Sequence, residues 1–190
     1  MPDILMPEFF DRLAAVPLMF QPGEHWAYGL STDVCGYLVE LLSGVELEEF
    51  LQRRIFTPLG MVDTSFHVPK EKAARFASNF MRAGAVTRIG AVQSSDAPDS
   101  GLRDISERTN AAAYLQAPKA GGSYKSGGGG LVGTMHDYYR FCACLLNGGE
   151  LDGERIISNA TIKWMATNHL IRRDGEGRVY HCDIQMMGHP

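Results

Sequence analysis

No segment of the 190 residues approaches the ~20 consecutive apolar positions that a membrane-spanning helix needs. The stretch 1–7 lacks a basic region followed by an apolar run, so no export signal is expected within it. There is no surplus of positive charge. With 18 basic and 22 acidic side chains the net charge is −4, which removes the electrostatic case for nucleic acid or an anionic membrane as partner. Arg53-Arg54 and Arg172-Arg173 read as solvated surface pairs. Cysteine is sparse: Cys35, Cys142, Cys144 and Cys182 have neither the density of a disulfide framework nor the Cys-x-x-Cys spacing of a zinc site. They read as free thiols acting as small buried hydrophobes in a reducing compartment, so the expected location is cytoplasmic. His25, His67, His136, His169, His181 and His189 are isolated, with no i, i+4 pair, and no phosphate loop of the form G-x-x-x-x-G-K-[ST] occurs. Neither a metal nor a cofactor is expected.

What remains is the composition of an ordinary globular protein, large enough to bury a core. Positions 7–16 read as a short helix opened by Pro7, with Phe9, Phe10, Leu13 and Ala14 along one side. A second helix has Ser31 or Thr32 as N-cap and Asp33 in its first turn. Val34, Tyr37, Leu38 and Leu41 follow at helical spacing, and Gly44 is the stop. A third carries Leu47, Phe50, Leu51 and Ile55 and ends near Thr57, because Pro58 forces its predecessor out of helical geometry. Positions 61–66 should be extended, 69–76 a short helix, and 77–89 weakly strand-like. The polar stretch 90–125 is long for a structureless loop, so it is either a lid-like excursion or holds a helix near 104–115.

Beyond it, Thr134 caps a helix with Asp137 in the first turn and Tyr138, Phe141, Cys142 and Leu145 as the expected buried stripe. Asn147-Gly148-Gly149 ends it, 150–155 is a tight turn, and Ser158 caps a helix to about Asn168 on which Trp164 is a core anchor. Cys142 and Cys144, two apart on a helix, should point to different faces.

The most informative stretch is Trp26-Ala27-Tyr28-Gly29-Leu30-Ser31-Thr32-Asp33-Val34-Cys35-Gly36, a tyrosine in a small-residue turn before an apolar helix. By itself such a tyrosine is most simply a packed aromatic. Its context is more specific: Gln21-Pro22-Gly23 lies upstream, with Arg54-Ile55-Phe56, Pro58-Leu59-Gly60-Met61 and Asp63-Thr64 downstream. Gly128-Gly129-Gly130-Leu131, Thr134, Asp137-Tyr138, Phe141 and Leu146-Asn147-Gly148-Gly149 complete the set. Together these motifs resemble the serine hydrolases of the class C β-lactamase, D-alanyl-D-alanine peptidase and family VIII carboxylesterase group.

The resemblance implies an α/β (α+β) protein of β-lactamase/transpeptidase-like fold, here mainly the helical domain plus short strands of an incomplete chain. It implies one partial domain over 1–190. Its regions are a helical part (1–76), a variable loop-rich part (77–125), the glycine loop and helices (126–170), and the start of a sheet region (171–190). It also implies that Tyr28 is catalytic, taking a proton from a serine hydroxyl that is otherwise a weak nucleophile. In that family the serine belongs to a Ser-x-x-Lys motif, which occurs nowhere in these residues. The expectation is therefore a piece of a larger enzyme, inactive alone.

Leu30 stands where the β-lactamases and peptidases carry the asparagine of Tyr-x-Asn. Losing that amide should weaken recognition of an amide-bearing β-lactam more than of a simple ester, so a small-molecule carboxylic ester is the expected substrate. Leu30, Gly128 and Gly129 are the expected substrate-binding residues. The glycine run has two readings, a tight turn needing no more than glycine's freedom, or the small-residue rim of the substrate cleft. A β-lactamase or peptidase, and a catalytically silent homologue that binds a ligand or partner, stay open as alternatives. Helices parted from their sheet should expose an apolar face, which predicts a homo-oligomer or a complementing segment as partner.

Overall fold

The computed structural model describes residues 6–22, 25–82, 101–106, 114–115, 124–169, 171–173, 179–181 and 184–185. The chain divides into two compact units, one formed by Met1–Ser65 with Ala120–Pro190 and the other by Phe66–Lys119.

The first unit opens with α1 (Met6–Ala14), which buries Met6 and Phe10. Phe10 stacks flat on Tyr37 with ring centroids 4.5 Å apart, and Phe9 meets Tyr124 edge-on at 4.9 Å. The short strand β1 (Trp26–Ala27) leads through the Tyr28 turn into α2 (Ser31–Ser43). The N-cap of α2 is Leu30, not Ser31 or Thr32, and no side chain caps it. Ser31 and Thr32 already lie within the helix, because the turn that presents Tyr28 closes one residue earlier than hydroxyl preference suggests. Gly44 ends α2 in the left-handed conformation at φ 72°, donating its N–H to Glu40 O at 2.9 Å, as its place after the apolar run predicts.

Helix α3 (Leu47–Leu51) runs directly into a π-helical turn, Gln52–Phe56. Thr57 donates to Gln52 O at 2.9 Å, the wide i→i−5 pattern, and beyond it Gly60 donates to Thr57 O at 3.0 Å and Met61 to Phe56 O at 2.8 Å, the paired bonds of a helix C-terminus. Pro58 does not force its predecessor out of helical geometry as expected: Thr57 keeps helical angles (φ −62°, ψ −50°), Leu59 still donates to Ile55 O at 3.0 Å, and the left-handed Gly60 (φ 64°) closes the turn. The turn delivers Phe56, Leu59 and Met61 to a core completed by Cys144, with Leu51, Ile55, Phe141, Leu151 and Ile156 packed around them. Residues 61–64 form a turn rather than the expected extended run, and extended pairing is confined to the bridge between Ser65 and Val132.

Helix α4 (Met135–Leu146) is capped by Thr134, whose hydroxyl accepts from Asp137 N at 3.2 Å. Of the expected Tyr138, Phe141, Cys142 and Leu145 stripe only Phe141 and Leu145 are half-buried. Tyr138 is 66% exposed and Cys142 is exposed, whereas Asp137 and Cys144 are buried with Phe141 half-buried between them. An apolar count along the helix overlooks Asp137, which turns inward to accept from Asp63 N at 2.7 Å and Thr64 Oγ1 at 2.8 Å. That anchor rotates the face to 137, 141 and 144. Cys142 and Cys144 do point to different faces, but the four cysteines are not uniformly buried: Cys35 and Cys142 are exposed, and Cys182 lies outside the described residues.

After α4, β4 (Glu150–Leu151) and β5 (Glu154–Arg155) form a hairpin. Its two-residue turn is Asp152-Gly153, both with positive φ (52° and 85°), the chemistry that a tight hairpin requires. Arg140 of α4 ties it down, donating to Leu59 O and, at 2.6 Å, to Asp152 Oδ2. Ser158 caps α5 (Asn159–Met165), accepting from Thr161 N at 3.0 Å. Trp164 is no core anchor: it is 66% exposed and meets His169 edge-on, since α5 buries none of its residues. β6 (Ile171–Arg173) pairs antiparallel with β7 (Val179–His181), and β8 (Ile184–Gln185) pairs parallel with β1.

In the second unit a six-residue 3-10 helix (Lys70–Arg75) precedes β2 (Phe80–Arg82), which pairs antiparallel with β3 (Leu102–Asp104). β3 ends at Asp104, the first residue of the helix expected near 104–115, and Tyr114 toward the other end of that range is helical; residues 107–113 lie outside the described residues.

Candidate active site

The expected catalytic tyrosine stands between β1 and α2. Register with β8 (Trp26 opposite Ile184, Ala27 opposite Gln185) fixes the strand that leads to it, and the first turn of α2 begins three residues later. Tyr28 is 53% exposed. Leu30, at the N-cap, is also exposed.

The glycine loop meets the same end of α2. A methyl group placed on Gly127 would lie 2.3 Å from Thr32 O, and one on Gly36 would lie 3.2 Å from Gly127 Cα. Helix and loop thus approach backbone to backbone, which only glycine on both sides permits. At Gly128 an added Cβ would fall 2.8 Å from Thr32 Oγ1 and 2.9 Å from Asp33 Oδ2, whereas at Gly129 it would meet nothing within 4 Å. Gly127 is therefore needed for packing, whereas Gly128 lies against the Thr32 and Asp33 side chains. Gly129 faces open space.

Asp33 is the residue that sequence reasoning undervalued. It is 6% exposed, and its Oδ1 accepts from Tyr124 Oη at 2.8 Å and from Ser126 Oγ at 2.5 Å. Ser126 Oγ accepts in turn from Gly128 N at 3.1 Å, so a chain of hydrogen bonds runs from the first turn of α2 into the glycine loop. The available signal was the spacing Asp33-x-x-Gly36. It puts an acid and a glycine on one helix face, where the acid needs donors and the glycine a close neighbour. Burial and the hydrogen bond to the Asp33 carboxylate both push the Tyr124 phenol well above its ordinary range. Beside them, Lys125 is buried and paired with Glu46 at 2.8 Å and Glu48 at 2.9 Å. Burial works against its charge, but the hydrogen bonds to Glu46 and Glu48 and their negative charge outweigh it, and its proton is held more tightly than usual.

Among the described residues, no group of His, Cys, Asp or Glu is arranged to hold a metal, and no helix is long and apolar enough to cross a membrane.

The model of the beta-lactamase family matches residues 3–180, nearly the whole chain. The chain belongs to the beta-lactamase family. Protein Rv1367c of Mycobacterium tuberculosis is 30% identical over 158 residues, 83% of this chain and 34% of that protein. Esterase EstB of Burkholderia gladioli is 31% identical over 140 residues, 73% of this chain and 33% of that one. Among solved structures, the LovD6 mutant of simvastatin synthase from Aspergillus terreus superposes with a TM-score of 0.60 at 26% identity, covering 87% of this chain and 37% of that chain. The chain thus spans about a third of the length of the curated relatives it matches. Its family and its mixed fold of helices and short strands are those that the sequence motifs indicate.

Proposed function

We propose that this chain forms part of a serine hydrolase that cleaves carboxylic esters through an acyl-serine intermediate. Tyr28 moves the proton of the nucleophilic serine, and the Ser-x-x-Lys that supplies that serine lies outside these 190 residues. The observation that carries the reading is the turn Tyr28-Gly29-Leu30. It offers an exposed tyrosine at the start of a helix beside a glycine loop, with leucine where an amide donor would stand. An apolar side chain at that position favours an ester over an amide-bearing β-lactam. That one of the relatives is named an esterase supports the same choice. Leu30 and the open Gly129 border the acyl or alcohol part of the substrate in this reading, and the 190-residue chain alone is inactive because it contains no nucleophile of the required kind.

The exposed leucines Leu38, Leu41 and Leu42 on α2 make a complementing segment the natural partner of this chain, and static light scattering reads the alternative, self-association. The test of the activity compares turnover of short p-nitrophenyl esters and of nitrocefin by the protein expressed from the complete reading frame. Ester turnover with negligible nitrocefin hydrolysis is expected; the reverse preference would replace the esterase reading by the β-lactamase one.

A further inference from the structure

The hydrogen-bond chain from Asp33 to Gly128 runs between the two parts of the candidate site. Its carboxylate is buried, accepts from two hydroxyls and sits in the first turn of α2, five residues after Tyr28. Only one of the two donors leads to the glycine loop: Ser126 Oγ passes the connection on by accepting from Gly128 N, whereas Tyr124 precedes the loop and packs its ring on Phe9. The backbone contact of Gly127 with Thr32 and Gly36 brings the surfaces together but carries no direction. The hydrogen bonds supply it, because they fix which way the Gly128 amide turns. A Cβ at Gly128 would fall 2.8 Å from Thr32 Oγ1 and 2.9 Å from Asp33 Oδ2, so the loop lies close against the first turn of α2.

We infer that Asp33 is a positioning residue: through Ser126 it latches the glycine loop to the first turn of α2 and so holds the rim of the site at a fixed distance from the Tyr28 turn. The kinetic half of this inference rests on the ester-hydrolase reading, whereas the latch itself does not. A latch of this kind acts on substrate placement more than on the proton transfer at Tyr28. Its loss shows in KM before it shows in kcat.

Hydrogen exchange on the 190-residue chain and ester kinetics on the protein from the complete reading frame test it together, with Ser126→Ala, Ser126→Thr, Tyr124→Phe and Asp33→Asn. Ser126→Ala should speed exchange of the 128–130 amides about tenfold, the loss expected for one charge-assisted hydrogen bond. Tyr124→Phe removes the other donor to the same oxygen and should leave those amides unchanged. Ser126→Thr keeps the hydroxyl and should restore protection. In the kinetics, Ser126→Ala should raise KM several-fold with kcat within about twofold, a split that general loss of folded protein does not produce. Asp33→Asn should match or exceed Ser126→Ala, and if it fails to fold, the Ser126 and Tyr124 pair decides. Equal exchange in Ser126→Ala and Tyr124→Phe would overturn the latch. An unmutated protein inactive toward every ester would instead overturn the hydrolase reading and, with it, the rim role, while the exchange comparison still decides whether the latch exists.

Discussion

Replacing Gly127 by alanine is the sharpest test of how the glycine loop is built. The added methyl group would stand 2.3 Å from the carbonyl oxygen of Thr32 and 3.2 Å from both Gly36 Cα and Gly36 N. All three are backbone atoms of α2, so no side-chain rotation relieves the overlap; helix or loop must move. Overpacking of this kind costs about 1–3 kcal/mol. For a chain of this length each kcal/mol lowers the melting temperature by about 2–4 °C, so a fall of about 2–12 °C is expected. Gly129→Ala is the internal control. A Cβ there meets nothing within 4 Å and its backbone has no positive φ, so stability should stay within about 0.5 kcal/mol. Thermal melts followed by circular dichroism, with urea titrations for the free energies, separate the two variants. Equal stability of Gly127→Ala and Gly129→Ala would refute the claim that helix and loop meet backbone to backbone. The control has a second use: any change in ester kinetics in Gly129→Ala comes from the space it occupies, since the fold does not feel it.

Asp137→Ala removes the shared acceptor of the Asp63 amide and the Thr64 hydroxyl and should cost about 2–4 kcal/mol in urea unfolding, whereas Asp137→Asn, which can keep one acceptor oxygen, should cost less. Alkaline pH should destabilise the chain. Tyr124 and Lys125 both have folded-state pKa values raised above their ordinary 10.0 and 10.5, so their contribution is complete below about pH 10 and is lost as pH climbs through the raised values. Unfolding free energies measured from pH 8 to 11 should therefore fall toward the alkaline end, and Asp33→Asn should flatten part of that fall by removing the negative charge beside Tyr124. Cys35 and Cys142 are exposed and should be alkylated quickly, whereas Cys144 is buried with its thiol pushed up by that burial and should label only on unfolding, as peptide mass mapping will show. Tyr28→Phe should lower ester kcat by about 10²–10⁴ in the protein from the complete reading frame with little change in stability, because the residue is more than half exposed.

Helix ends were the part most legible in the sequence. Gly44, the Thr134 and Ser158 caps and the glycines after Asn147 all act where local chemistry alone decides, and each stands where the pattern puts it. Helix faces were less legible. Tyr138, Cys142 and Trp164 count as apolar in any tally, yet the buried face of α4 follows Asp137, a polar residue whose partners lie more than seventy positions away in sequence. The same limit applies to the site. Tyr28 and the glycine run stand out as motifs, but Asp33 reads as an ordinary first-turn acid until Tyr124 and Ser126, over ninety positions later, fold against it. Burial of a charged group is set by distant donors, and a linear pattern has no term for them.

Intact-mass analysis after exposure to a fluorophosphonate that modifies activated serines tests the central claim most directly. The account predicts no adduct on the 190-residue chain. On the protein from the complete reading frame it predicts a single stoichiometric adduct that maps to a Ser-x-x-Lys serine outside these residues. A stoichiometric adduct within the 190 residues, at Ser31 or Ser126 for example, would contradict it and place the nucleophile inside the chain.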